Sequence, residues 1–170
     1  MSLRLPDDVR TAYLRHDGSV SGALPGSGGA MLLFVACSWW ASLEEMTSEW
    51  RFVKKYCDET RVEIPEAFPS PEPFWNELKV KPMGGNDKWV PIGLSGTMSR
   101  IYLDLDPAPS GSVGQLMEES GTVEPTWLAN SFDHYLEMLI ERVARGALMF
   151  RDGWIWTETD EHVYDWNRIG

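Results

Sequence analysis

The sequence predicts an α+β fold, one domain with a largely antiparallel, mixed sheet and helices packed to one side of it. Three observations carry this. From Trp89 to Gln115 short strand patterns follow one another with turn residues between them. Amphipathic helical stripes stand both before and after that stretch. The resulting order of helix, strand, helix, several strands, helix and hairpin is that of an antiparallel sheet with helices on one face.

The first element starts at Leu5-Pro6-Asp7-Asp8, where a proline in the first turn and two acids favour a helix N-terminus. Leu5, Val9 and Tyr13 share a face, and Asp17-Gly18 is expected to close the helix. Residues 18–29 are loop by composition. Met31 to Ala36 is apolar throughout and suits a buried strand. Ser42-x-x-Glu45 has the spacing of a capping box, and Leu43, Met46, Trp50, Val53 and Cys57 mark the apolar stripe of a helix running to about Tyr56.

Residues 60–88 contain Pro65, Pro69, Pro71, Pro73 and Pro82, which forbid a long helix or central strand. They read as a surface excursion with a helical turn near Phe74 to Leu78; Phe68, Phe74 and Trp75 would be an interaction surface if exposed. Trp89, Val90 and Ile92 then form a strand ending near Gly93, with a tight connection at Ser95-Gly96. From Arg100 the alternation is strict, with Ile101, Leu103 and Leu105 on one face and Arg100, Tyr102, Asp104 and Asp106 on the other. Pro107 and Pro109 stop this strand, and Gly111 and Gly114 bracket a turn into a third strand, Val113 to Met117. Glu118 to Pro125 reads as a turn region. Asn130 or Ser131 caps a helix whose stripe is Phe132, Tyr135, Leu136, Leu139, Ile140 and Val143, ending at Arg145-Gly146. Residues 147–170 give a hairpin around Asp152-Gly153 and an acidic tail. There is no internal repeat.

Several of these motifs together resemble the SUKH superfamily, which groups fungal cell-wall-assembly regulators with bacterial immunity proteins that neutralise polymorphic toxins. The resemblance lies in Leu5-Pro6, in His16-Asp17-Gly18 with Asp where the family has Asn, and in Ser42-Leu43-Glu44-Glu45 entering a Trp-bearing helix. It continues in Trp89-Val90-Pro91-Ile92-Gly93, Leu103 to Pro109, Gly114-Gln115 and Ala129-Asn130-Ser131-Phe132. It covers Leu5 to about Val143, and the run Leu103 to Pro109 is its most specific part. Family members usually carry a further helix ahead of the Leu-Pro, whereas four residues precede Leu5 in this sequence. The resemblance implies a binding fold with no enzymatic activity and no cofactor; for a bacterial member the implied partner is a toxin domain, often a nuclease.

Charge narrows the partner independently. The net charge is −11, with 26 acids against 15 Lys and Arg, and the span from Ile101 to Glu141 holds eight acids and no Lys or Arg. Such a surface repels nucleic-acid phosphates and anionic membranes and attracts basic proteins. The candidate partner-binding residues are Asp104, Asp106, Glu118 and Glu119, which fall near strand ends and turns. The longest apolar run, Ala30 to Cys37, is far below the ~20 residues of a membrane helix. No charged-then-apolar leader opens the sequence, and the two cysteines, Cys37 and Cys57, form no CxxC. The expectation is a cytoplasmic monomer or weak homodimer.

Catalytic and metal chemistry find little support. Asp104 and Asp106 place two carboxylates on one strand face, as a divalent cation would require, but further oxygen ligands at diagnostic spacing are missing. Asp106 is therefore expected to cap the Pro107-Ala108-Pro109 turn. His16, His134 and His162 are scattered, Gly26-Ser27-Gly28-Gly29 lacks the Lys-Ser/Thr of a phosphate loop, and Gly93-Leu94-Ser95-Gly96 has its second glycine one position early for a nucleophile elbow. The reading is no catalytic residues, no metal and no cofactor. Two alternatives to a toxin-neutralising protein are a regulatory scaffold and a carbohydrate-binding module using some of the nine tryptophans.

Overall fold

The computed structural model describes residues 3–19, 38–60, 79–81, 86–95, 99–119, 125–151 and 154–157. Helix α1 is Asp7–Arg15, β1 is Ser38–Trp40, and α2 is Leu43–Thr60. The strands β2 (Trp89–Ser95), β3 (Arg100–Asp104), β4 (Gln115–Glu119) and β5 (Thr126–Ala129) follow, then α3 (Phe132–Ala144) and the hairpin β6 (Leu148–Arg151) and β7 (Trp154–Thr157). Strands β1 to β5 form one sheet in sequence order with every neighbour antiparallel, so short connections suffice from β2 to β5, while β1 reaches β2 through α2 and residues 61–88. The architecture is α+β.

The alternation in β3 decides the layering. Ile101 and Leu103 join Val90, Ile92, Leu116 and Leu128 in the larger core, against Val9 and Tyr13 of α1 and Phe132, Tyr135 and Leu139 of α3. Leu105 and Leu136 pack against that core from its margin. On the opposite sheet face Trp89, Tyr102 and Met117 form a smaller cluster with Val53 of α2 and Val80. Helix α2 serves both, since Met46 near its start belongs to the larger core and Val53, two turns on, to the smaller. Pro91 is tolerated inside β2 because the register against β3 slips between Pro91 and Gly93, and pairing with β1 ends at Gly93.

Helix ends are fixed by side chains, two of them from distant parts of the chain. The capping box of α2 is formed: Ser42 Oγ accepts from the Glu45 N–H at 3.2 Å and Glu45 Oε2 accepts from the Ser42 N–H at 2.8 Å. Ser131 Oγ accepts from the His134 N–H at the start of α3. Asp8 Oδ2 reaches the same helix end, accepting from the N–H groups of Phe132 at 3.1 Å and Asp133 at 3.3 Å. Asp17 Oδ1 accepts from the Leu43 N–H at 2.7 Å, so this residue caps α2 and does not close α1, whose C-cap is His16 in extended geometry.

Several expectations are corrected. Strand β3 ends at Asp104, because the Leu105-Asp106 backbone turns toward the loop, and β4 starts at Gln115 and runs through Glu119. Glu118 and Glu119 are therefore strand residues, and Thr126–Ala129 is a fifth strand within a Ser/Asn-bounded stretch too short to show a period. Leu43, Ile140 and Val143, assigned to buried stripes, are exposed. Helix α3 turns its 132-135-139 line to the core, which leaves position 140 about 100° round the helix from Leu139. The strand expected over Met31 to Ala36, the glycines of 26–29, most of the Pro-rich excursion with Phe68, Phe74 and Trp75, the Asp152-Gly153 turn and His162 lie outside the described residues.

Candidate functional site

Two of the four acids that the sequence singled out, Asp104 and Asp106, stand at the joint between β3 and β4, where the chain is more tightly cross-linked than its loop composition indicates. Asp104 ends β3 with 0% of its surface exposed. Its Oδ1 accepts from the Asp106 N–H at 2.9 Å and its Oδ2 from Gln115 Nε2 at 2.9 Å. The residue that caps the turn is thus Asp104, in place of the expected Asp106. A carboxylate two residues back can close an Asx-type ring on the amide ahead of it, whereas Asp106 looks outward. Burial pushes the Asp104 carboxyl above the ordinary carboxylate range, and the two hydrogen bonds offset only part of that.

Gln115, also fully buried, is the hub of the joint. Its Nε2 donates to Asp104 Oδ2 and, at 2.7 Å, to the Lys79 carbonyl, while its Oε1 accepts from the Ser112 N–H. The Lys79 carbonyl also accepts from the Ala108 N–H. Gly111 lies so close to that carbonyl and to Gln115 Oε1 that a side chain there would collide with both. Gly114, at φ +88°, meets Pro6: a Cβ on it would stand 2.9 Å from Pro6 Cγ, so the Leu5-Pro6 and Gly114-Gln115 motifs are two sides of one contact.

Asp106 is solvated and differently paired. Lys81 Nζ lies 2.7 Å from Oδ2, Lys88 Nζ 3.9 Å from Oδ1, and Asn86 Nδ2 donates to Oδ2 at 3.0 Å. Partial burial opposes its charge, but Lys81, Asn86 and Lys88 outweigh this and hold the carboxyl below its ordinary range. Adjacent carboxylates are thus pushed in opposite directions, one by burial and one by bases.

Glu118 and Glu119 lie at the far end of β4, half-buried, opposite Ile101 and Arg100. Near Glu119 lies the Tyr102 hydroxyl, which burial and then the charge of Glu119 hold well above the ordinary tyrosine range. Arg100 forms a two-point pair with Glu49 of α2, Nε at 2.7 Å and a terminal nitrogen at 2.6 Å from Oε1. Of the four proposed partner-binding acids, then, Asp104 is sealed inside, Asp106 is neutralised by neighbouring lysines, and Glu118 and Glu119 form a half-buried pair elsewhere on the sheet. The structure does not gather the four into one patch.

Asp133, Glu137 and Glu141 share an exposed surface on α3. Their four-residue spacing, opposite the line of Phe132, Tyr135 and Leu139, is the signal in the sequence that marks them. His16 is exposed after α1, and His134 on α3 accepts from the Asn130 N–H through Nδ1, so the two stand on different elements with separate roles. Among the described residues no group of three or more His, Cys, Asp or Glu could hold a metal ion, and no helix is long and apolar enough to cross a membrane. Trp40 and Trp89 are buried and Trp39, Trp50 and Trp127 half-buried. Trp50 Nε1 donates to the Asp87 carbonyl, and Lys79 Nζ stands 3.4 Å over the Trp127 ring, a cation–π contact.

Comparison with known proteins agrees with this arrangement of motifs. The family model of the SMI1/KNR4 family (SUKH-1) matches residues 1–138. A protein of Schizosaccharomyces pombe (strain 972 / ATCC 24843), named cell wall biosynthesis/cell cycle regulator smi1, is 29% identical over 117 residues, 66% of this chain and 22% of that protein. The chain therefore spans about a fifth of the length of the curated relative it matches. With the family matched across most of its length and the motifs locked together at the joints of the sheet, the chain belongs to the SMI1/KNR4 (SUKH-1) family.

Proposed function

We propose that the protein is a non-enzymatic binding domain of the immunity type, acting in the cytoplasm to bind and neutralise a basic toxin domain. Family membership supports a regulator or immunity-type protein. The observation that carries the finer reading is the division of the acids between Ile101 and Glu141. Asp104 serves the fold and Asp106 is paired with bases, while Asp133, Glu137 and Glu141 are displayed on one helix in a span without Lys or Arg. The carboxylate motif most suggestive of chemistry is engaged in holding a loop, and the exposed charge suits a basic protein.

The test is co-purification with the products of neighbouring genes, followed by association kinetics of any complex obtained. The expected result is a partner whose toxicity is suppressed and whose association rate falls steeply with ionic strength, as steering by complementary fields requires. A partner whose on-rate ignores salt would overturn the electrostatic reading and direct the search to the aromatics of Phe68 to Trp75. A second reading, a regulatory scaffold that binds a cellular protein without inhibiting it, is favoured by the likeness to the Schizosaccharomyces pombe regulator. Suppression of toxicity separates the two. A carbohydrate-binding role is less favoured, because the tryptophans of known exposure are buried, half-buried or covered by Lys79.

A further inference from the structure

We infer that the solvent face of α3 is a docking surface whose occupant is a basic amphipathic segment of a protein partner. This rests on the basic-partner reading above and gives it a location. Asp133, Glu137 and Glu141 recur every fourth residue, which places their carboxylates along one stripe of the helix. Ile140 stands beside that stripe, about 20° round the helix from Asp133 on the side nearer the core line, with 67% of its surface exposed. Val143, one turn further, is 37% exposed.

Neither core packing nor helix propensity accounts for Ile140; Val143, most of which is covered, borders it. The core-facing line of α3 is already filled by Phe132, Tyr135 and Leu139, and β-branched side chains are less favourable in a helix than Ala, Leu, Lys or Glu. A largely exposed Ile140 that gains little inside the fold gains when an apolar side chain is seated on it, and the uncovered part of Val143 extends that seat. Charge complementarity identifies what brings it. Among the described residues no base pairs with Asp133 or Glu137, and Glu141 has Arg145 Nε at 3.8 Å in a pair exposed on both sides, which a partner's Lys or Arg can displace. An apolar edge bordered on its solvent side by carboxylates fits a segment whose apolar row is bordered by Lys or Arg.

The test uses the full chain and a labelled synthetic Leu/Lys amphipathic helical peptide as probe, at ~0.15 M salt, where charges more than about 8 Å apart are largely screened. Binding is followed by fluorescence anisotropy and mapped by amide chemical shifts. Glu137→Lys with Glu141→Lys is expected to weaken binding by about tenfold or more, and Ile140→Ser by several-fold, with thermal midpoints unchanged and shift changes centred on α3. Asp7→Lys with Glu44→Lys, an equal charge change on other helices, should leave affinity within about twofold. If the control double variant weakens binding as much as the α3 variants, or the shifts centre on another element, the α3 surface is wrong while the basic-partner reading stands. If the peptide binds nowhere, both fall.

Discussion

Gln115 shows how one residue can hold a joint. It is fully buried, and its amide satisfies Asp104, the Lys79 carbonyl and the Ser112 N–H at once. In Gln115→Leu the Lys79 carbonyl keeps the Ala108 N–H and the exposed Ser112 N–H can turn to water, but Asp104 Oδ2 loses its donor inside the fold; since a buried unsatisfied group costs about 1–3 kcal/mol, the expected loss is of that order, measured by chemical denaturation. The neighbouring carboxylates give a pH test. Asp106 is depressed in the folded chain, so its contribution is present above the unfolded carboxylate value of about 3.9 and lost as pH falls through its lower folded value. The stability difference between the wild-type chain and Asp106→Asn should accordingly be largest near neutral pH and shrink below about pH 4. Asp104, raised by burial, has the opposite slope: its contribution is full below the unfolded value and lost as pH rises through the folded one. For that reason the measurement is the difference between variants, not the wild-type curve alone.

Among the elements, β3 and the two long-range helix caps set the layout. Leu103, fully buried between α1, α3 and the neighbouring strands, should lose about 2–5 kcal/mol on truncation to alanine, and a loss below half of one would mean the strand's faces were wrongly assigned. Asp17 accepts the Leu43 N–H through one oxygen, a bond that an asparagine amide oxygen can also make. Asp17→Asn should therefore stay within a few tenths of a kcal/mol of the wild-type chain, while Asp17→Ala should lose about 1 kcal/mol, as removal of a helix N-cap does. Equal effects from both substitutions would show that charge at the helix end, and not the hydrogen bond, is what stabilises α2.

At the level of the whole molecule, the surplus of acids governs encounters with ions and proteins. Calcium or zinc titration is expected to leave the melting temperature unmoved, because only a ligand that binds the native state stabilises it, and Asp104 already has both oxygens engaged by donors. A saturable rise in melting temperature with either ion would mean that the β3–β4 joint opens to take it. Reversal of Glu118 and Glu119 to Lys tests the acids expected from the sequence. Since Glu118 and Glu119 are half-buried and Glu119 lies opposite Arg100, that double variant is expected to lower thermal stability as well as any association rate. The α3 reversals should lower the rate alone.

Periodicity by itself determined the fold class, the inward faces of β3 and α3 from Ile101 to Leu139, and the capping box at Ser42 and Glu45, because each depends on residues a few positions apart. The motifs of the family were legible for the same reason. What they do was decided only in three dimensions: Asp8 caps a helix 124 residues away, Pro6 rests on Gly114, and Gln115 bonds to Lys79 and Asp104. The candidate site moved for the same cause. A sequence lists its carboxylates without saying which are sealed by burial, which are neutralised by distant lysines and which remain exposed on a helix; those are properties of the packed chain, and packing is what separated Asp104 and Asp106 from Asp133, Glu137 and Glu141.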